Sequence, residues 1–228
     1  MKLFLLFLLT LTISCGKNWN YQNQDDWSKI DEKFKFCALG LNQSPIDVIN
    51  NFKKEELIFS YQKVEADKEK KSHNLEINFY NRAFVERVKK KYFLRNLSFH
   101  HPSEHQINGE DFSLEMQIAH KSEDEQWLIL AVFLEIGDEN KNFDELINFI
   151  SSNKKTAEIN IEKLINFNDL SFFYNGSFTA PPCSEGVKWY VMKKPIRISK
   201  EQANKIIKSA IFKSPNNRKL QKFNLEKY

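Results

Sequence analysis

Three of the chain's five histidines, His100, His101 and His105, crowd together in the stretch YFLRNLSFHHPSEHQINGEDFSLEMQIAHKS at residues 92–122, which also holds His120. A crowd of imidazoles is where metal chemistry is first sought. The other two histidines are His73 and His120. Neighbouring side chains of a strand point to opposite faces, so His101 is turned away from His100, and His120 faces opposite Gln117. His105 falls in the turn Pro102-Ser103-Glu104-His105, beside Glu104. Read from the residues alone, the cluster assembles no histidine site, and surface and turn positions are expected for these rings.

Strands must position these residues. From Leu57 to Ile136, alternating stretches such as Leu75-Glu76-Ile77-Asn78-Phe79 and Phe84-Val85-Glu86-Arg87-Val88 read as strands, and Ile129 to Leu134 reads as a fully buried one. Helical spacing appears at Phe143 to Ile150 and Lys200 to Phe212, and residues 17–30 read as an arm wrapping the surface. A chain of 228 residues with 20 phenylalanines and 6 glycines allows one substantial domain with a large apolar core. No internal repeat, low-complexity tract or interdomain linker interrupts it.

Several motifs stand in a fixed order. Trp19-Asn20-Tyr21 is followed by Trp27, then by Asn42-Gln43-Ser44-Pro45-Ile46-Asp47, then by His73 in SHNLEINF. The 92–122 stretch comes next, then Asn175-Gly176-Ser177-Phe178-Thr179-Ala180-Pro181-Pro182-Cys183-Ser184-Glu185-Gly186-Val187-Lys188-Trp189, and finally Asn216-Asn217-Arg218-Lys219-Leu220-Gln221. In this order, over roughly residues 19–221, the chain resembles the α-type carbonic anhydrases, with Asn20 as a departure from their Trp-Gly-Tyr. The resemblance implies a mainly β (α+β) fold: a large, mostly antiparallel twisted sheet with short surface helices.

It also implies where a zinc site would be, and what has changed there. The family's three zinc-binding histidines correspond to Ser98, His100 and Gln117, so only one imidazole remains of the three that make zinc-bound water acidic. Ser98 and Gln117 are weak zinc donors, and little zinc is expected. The orienting residues of the family fall at Asn96 and Glu115; Glu115 has lost its imidazole and must find another donor or rise in pKa. Glu104 and Thr179 match the pair that orients the zinc hydroxide, here expected to satisfy each other in a polar pocket. His73 matches the proton-shuttle position and is expected to be partly exposed. The resemblance thus points to an acatalytic, binding or structural member without a cofactor. The alternative is an active hydratase with a non-standard zinc site, carried by His73, His100, Glu104 and Thr179.

Location follows from the termini and the cysteines. Lys2 and the apolar run Leu3 to Ile13 read as an export signal, too short to span a bilayer, with residues 1–14 removed and residues 15–228 forming one domain. Thr12-Ile13-Ser14-Cys15 resembles a lipoprotein processing box, which would leave Cys15 lipidated and the protein in the periplasm or at the cell surface. Ordinary cleavage near Gly16 is the other possibility. Cys37 and Cys183 remain as a pair, and the resemblance implies a disulfide between them. Lysine clusters at 53–54, 68–71 and 89–91 read as solvated faces or as a site for an anionic glycan or other surface polymer. No nucleic-acid motif is present, and membrane contact is expected only through the lipid.

Overall fold

A computed structural model describes residues 19–49, 51–80 and 82–223. The expected export signal and Cys15 lie outside the described residues. Thirteen strands are described: β1 (Asp47–Val48), β2 (Leu57–Ser60), β3 (Lys63–Lys70), β4 (Leu75–Phe79), β5 (Phe84–Arg87), β6 (Lys90–His100), β7 (Gln106–Ile107), β8 (Leu114–Lys121), β9 (Trp127–Ile136), β10 (Thr156–Asn160), β11 (Ser171–Ser177), β12 (Glu185–Met192) and β13 (Ile196–Ile198). The α-helices are short: α1 (Trp27–Ile30), α2 (Phe36–Leu39), α3 (Asp144–Ser151) and α4 (Lys200–Ala210). The expected helices at 143–150 and 200–212 are thus α3 and α4.

Eleven strands form one sheet with the path β10-β3-β4-β6-β8-β9-β12-β11, and β2, β5 and β13 attach at its sides. Its pairs are antiparallel except for β9 with β12 and with β13, as the mostly antiparallel expectation required. Strand alternation divides the apolar residues between two cores. Leu128, Leu130, Val132 and Leu134 of β9 enter the larger core with Leu97, Phe99, Met116 and Ile118. Their neighbours Ile129, Ala131 and Phe133 enter a second core with Tyr174 and Trp189. Both faces of β9 are therefore covered, which is why its sequence is an uninterrupted apolar run.

In β6 the register slips between Leu94 and Asn96. Leu94, Leu97 and Phe99 consequently all lie in the larger core, while Asn96, Ser98 and His100 reach the other side.

The N-terminal arm is anchored more deeply than a surface wrap. Trp27 and Tyr21 are buried and pack with Cys183, and Asn20, the departure from the family's glycine, accepts the backbone N–H groups of Gln22 and Asn23 as a cap. Cys37 and Cys183 are joined in a disulfide with a Cα–Cα distance of 5.0 Å, as the resemblance implied.

Three of the clustered lysines are engaged by oxygen partners within the protein. Lys68 donates to the Phe149 and Ser152 carbonyls at the end of α3, Lys71 pairs with Glu69 and Glu76, and Lys90 pairs with Asp124. Among the described residues, no helix is long and apolar enough to cross a membrane.

Candidate functional site

The antiparallel register of β6 and β8 sets Ser98 opposite Gln117 and His100 opposite Glu115. These four residues lie on the side of the sheet away from Phe99 and Met116. Ser98, His100 and Gln117 form part of the wall of a cavity of about 370 Å³, with Thr179 nearby on the loop after β11. One side of the cavity is apolar, made by Ala119, Ile129, Trp127 and Phe178. Trp19, Tyr21 and His73 close another side.

Behind the cavity lies a buried polar network centred on Glu115. Its carboxylate accepts the backbone N–H of Glu104 at 3.0 Å, that of His105 at 2.8 Å, His105 Nδ1–H at 2.9 Å and Gln117 Nε2–H at 2.9 Å. Burial pushes the Glu115 carboxyl up, but facing His105 and its hydrogen bonds, and then His100, outweigh this and hold the pKa at about 2. Glu115 has therefore found its replacement donors, and its pKa moves down rather than up. One replacement is an imidazole, since His105 is fully buried between Glu115 and the Tyr174 hydroxyl, 2.7 Å away. The surface and turn reading fails for His100 and His105, because each ring is buried with a polar partner, and His120 is buried against Tyr61 as well. Histidine can enter a core when its ring finds polar partners there.

Glu104 is satisfied by other groups than the expected one. One carboxylate oxygen accepts Gln117 Nε2–H at 2.8 Å and the other accepts the Arg218 backbone N–H at 2.9 Å. No hydrogen bond joins Glu104 to Thr179, whose hydroxyl, like that of Ser98, has no protein partner among the described residues. The reason is the amide of Gln117, whose NH2 group reaches both buried carboxylates at once. Gln117 thus reproduces the N–H of an imidazole toward Glu115 and offers its carbonyl oxygen elsewhere.

His100 faces the Asn216 carbonyl through Nδ1 at 2.7 Å. A carbonyl only accepts, so the proton sits on Nδ1 and Nε2 carries a lone pair. His73 is 3% exposed, not partly exposed as expected. Its Nε2–H donates to the Trp19 carbonyl at 3.0 Å, its ring centroid is 4.4 Å from that of Trp19, and Nδ1 has no partner. Burial lowers its pKa, against the hydrogen bond to Trp19. A ring buried and held this way by Trp19 is poorly placed to swing and carry protons.

The donors at the three ligand positions are thus a serine hydroxyl, one imidazole nitrogen and an amide oxygen. Two neutral oxygens and one nitrogen do not fit zinc, which takes imidazole, thiolate or carboxylate. Asn96 also lines the cavity beside them.

Reasoning from residues missed Arg218, His105 and Tyr174 as parts of the site. Arg218 is buried and donates to Gln43 Oε1, the Ser44 carbonyl and the Cys37 carbonyl at 2.9, 2.7 and 2.9 Å. Its place in the Asn216-x-Arg218 motif was the available signal. Gly176 is required for a nearby contact, because a Cβ there would come within 2.1 Å of Ser44 Oγ.

A profile described as eukaryotic-type carbonic anhydrase matches residues 22–226. Dioscorin DB3L of Dioscorea polystachya is 33% identical, with 88% of this chain and 84% of that protein aligned. A carbonic anhydrase of Neisseria gonorrhoeae is 30% identical over 91% of this chain and 85% of its own. Among solved structures, the α-carbonic anhydrase of Thermovibrio ammonificans in complex with the inhibitor sulfanilamide superimposes with a TM-score of 0.82 at 29% identity, covering 92% of this chain and 97% of that one. Dioscorin complexed with ascorbate superimposes with a TM-score of 0.81 at 28% identity, covering 91% and 93%. With the sheet, the disulfide and the Glu104–Glu115–His105 network in place, these matches establish that the chain belongs to the α-type carbonic anhydrase family.

Proposed function

We propose that this chain is a non-catalytic member of the family, exported, and acting by binding or as a structural protein. The observation that carries this reading is the state of Gln117: its amide hydrogens are committed to Glu104 and Glu115, where an imidazole ligand would stand. With Ser98 on the facing strand, two of the three imidazoles needed to acidify a zinc-bound water are missing. The Cys37–Cys183 disulfide and the bacterial carbonic anhydrase relatives support an exported location, and lipidation at Cys15 is the proposed anchor.

The test is the zinc content of purified, chelator-free protein, measured beside carbon dioxide hydration. The expectation is no stoichiometric zinc and no rate above buffer; one equivalent of zinc with rapid hydration would overturn the reading. Ser98→His with Gln117→His should then restore zinc binding, since Glu115 is already placed to accept an imidazole N–H from position 117. Mass spectrometry of the mature protein decides the anchor, because a lipidated Cys15 N-terminus and an unmodified terminus near residue 17 differ by the lipid and by Cys15 and Gly16.

A further inference from the structure

Away from the cavity, on the face of the sheet that carries the larger core, three cations are brought together over Tyr92, Tyr190 and Phe173. The turn Val88-Lys89, with φ of 49° and 60°, joins β5 to β6 so that Arg87 and Lys90 are direct cross-strand partners. Like charges placed directly opposite each other on a sheet destabilise it. Lys188 of β12 is the third cation: burial, and then the charges of Lys90 and Arg87, lower the pKa of its ammonium. Lys90 and Lys188 each stand 6.0 Å from the centroid of the Tyr92 ring. Lys90 is paired with Asp124, whereas Lys188 donates to a neutral oxygen, Gln126 Oε1, at 2.9 Å. The Arg87 guanidinium lies 4.5 Å from the centroid of Phe173 and donates its Nε–H to the Tyr190 hydroxyl. Among the described residues it has no carboxylate partner.

A ring and a hydroxyl thus fix the plane of Arg87, while its two terminal amino groups have no protein partner. Those groups face solvent, because the one buried unpartnered side-chain atom among the described residues belongs to His73. A guanidinium held in one plane offers two parallel N–H donors to an oxyanion with little further loss of freedom. Two carboxylates stand near. Asp124 is held by Lys90 and Ser122, and Glu55 acts on Tyr190 through its charge without forming an ion pair with Arg87. A cavity of about 100 Å³, lined by Asn51, Lys53, Glu55 and Phe172, shares Phe173 with the Arg87 stack and leaves room for the body of a ligand. We propose that Arg87 and Lys188 form a site for a sulfate or phosphate monoester, with two oxygens on the guanidinium fork and a third on the ammonium. A monoester has three free oxygens for these donors; a carboxylate has two. The site lies on the other face of the sheet from the zinc positions and does not depend on whether they hold metal.

The experiment is titration of the full chain at pH 7 and low salt with glucose 6-sulfate, glucose 6-phosphate, glucuronate and glucose, which share one sugar and differ in the charged group. Calorimetry gives the affinities, and the Arg87 Nε–H resonance reports the place without any substitution. At least one ester should shift that resonance to saturation and bind more tightly than glucuronate, and glucose should not bind; the tighter ester tells a sulfated source from a phosphorylated one. Arg87→Lys, which keeps the charge and loses the fork, and Lys188→Gln should each weaken ester binding at least about tenfold, with folding checked by the thermal transition. Lys208→Gln, which removes one exposed charge from α4, should leave it unchanged. Glu55→Gln should tighten it by removing a competing carboxylate. An Arg87 resonance that neither ester moves, Arg87→Lys binding as tightly as the unaltered chain, or Lys208→Gln costing as much as Lys188→Gln would each overturn the inference.

Discussion

On one face of β6 and β8, Leu97, Phe99, Met116 and Ile118 are fully buried in an apolar core, with His120 closed off by Tyr61 at 2.5 Å. On the other, Ser98, His100, Glu115 and Gln117 are mostly shielded by the fold, but they belong to a polar network and a cavity. The core face satisfies every group it buries. The cavity face satisfies the carboxylates behind it and leaves Ser98, Thr179, His100 Nε2 and Gln117 Oε1 without protein partners. Burial alone therefore does not mark a site; unspent hydrogen-bonding capacity inside a cavity does.

The sharpest way to break this contrast is to remove the centre of the network. Glu115→Ala strips the acceptor from four buried donors and should cost about 3 to 5 kcal/mol in urea unfolding, a cost unlike that of any surface carboxylate. A loss below about 1 kcal/mol would show that the network is not structural.

Acid should weaken both faces, in separable ranges. Burial pulls the His120 imidazole down from 6.5 to about 3, so as pH falls below 6.5 the unfolded chain takes up that proton first and the folded state loses stability. Glu115, held at about 2 against an ordinary 4.5, contributes stability that is fully present above pH 4.5 and is lost as pH falls toward 2, on the order of 3 kcal/mol in total. Urea midpoints should therefore decline from pH 6.5 downward. His120→Gln should flatten the limb between pH 6.5 and 4.5, where Glu115 does not titrate; an unchanged limb would assign it to another group.

The disulfide closes a separation of 146 residues and ties the loop after Thr179 to the N-terminal arm. Replacing Cys37 and Cys183 by serine should cost about 2 to 4 kcal/mol, read as a lowered urea midpoint in the oxidised comparison. The smallest effects should come from the cavity hydroxyls. Ser98→Ala and Thr179→Val remove groups without protein partners, and each should change the unfolding free energy by less than about 0.5 kcal/mol. A larger loss would mean that these hydroxyls belong to the structural network after all.

Much of this was legible in the sequence, for reasons that differ by residue. Strand alternation is local, so the shared face of Ser98 and His100, and the exclusion of His101 and His120 from it, could be read before any coordinates. The uninterrupted run Ile129 to Leu134 required a strand covered on both sides. The motif order was enough to identify the family and the disulfide. Three expectations failed, each because it depended on distant partners: the surface reading of His100 and His105, whose rings meet Asn216, Glu115 and Tyr174, and the readings of His73 and Glu104. His73 is buried because the N-terminal arm brings Trp19 and Tyr21 over it. Glu104 is occupied by Gln117 and Arg218, the latter 114 residues away, and not by Thr179. The irregular register at Leu94–Asn96 moves side chains between faces without any local mark.

The sequence by itself determined which atoms exist at the site: one imidazole, a hydroxyl and an amide where three imidazoles would stand, on strands whose alternation turns them one way. Only the tertiary structure decided which of those atoms are spent. An amide can offer an oxygen or two hydrogens, and an imidazole either nitrogen. The choice was made by Glu104, Glu115 and Asn216, which burial brings within 3 Å and which leave Gln117 its carbonyl oxygen and His100 its Nε2 lone pair.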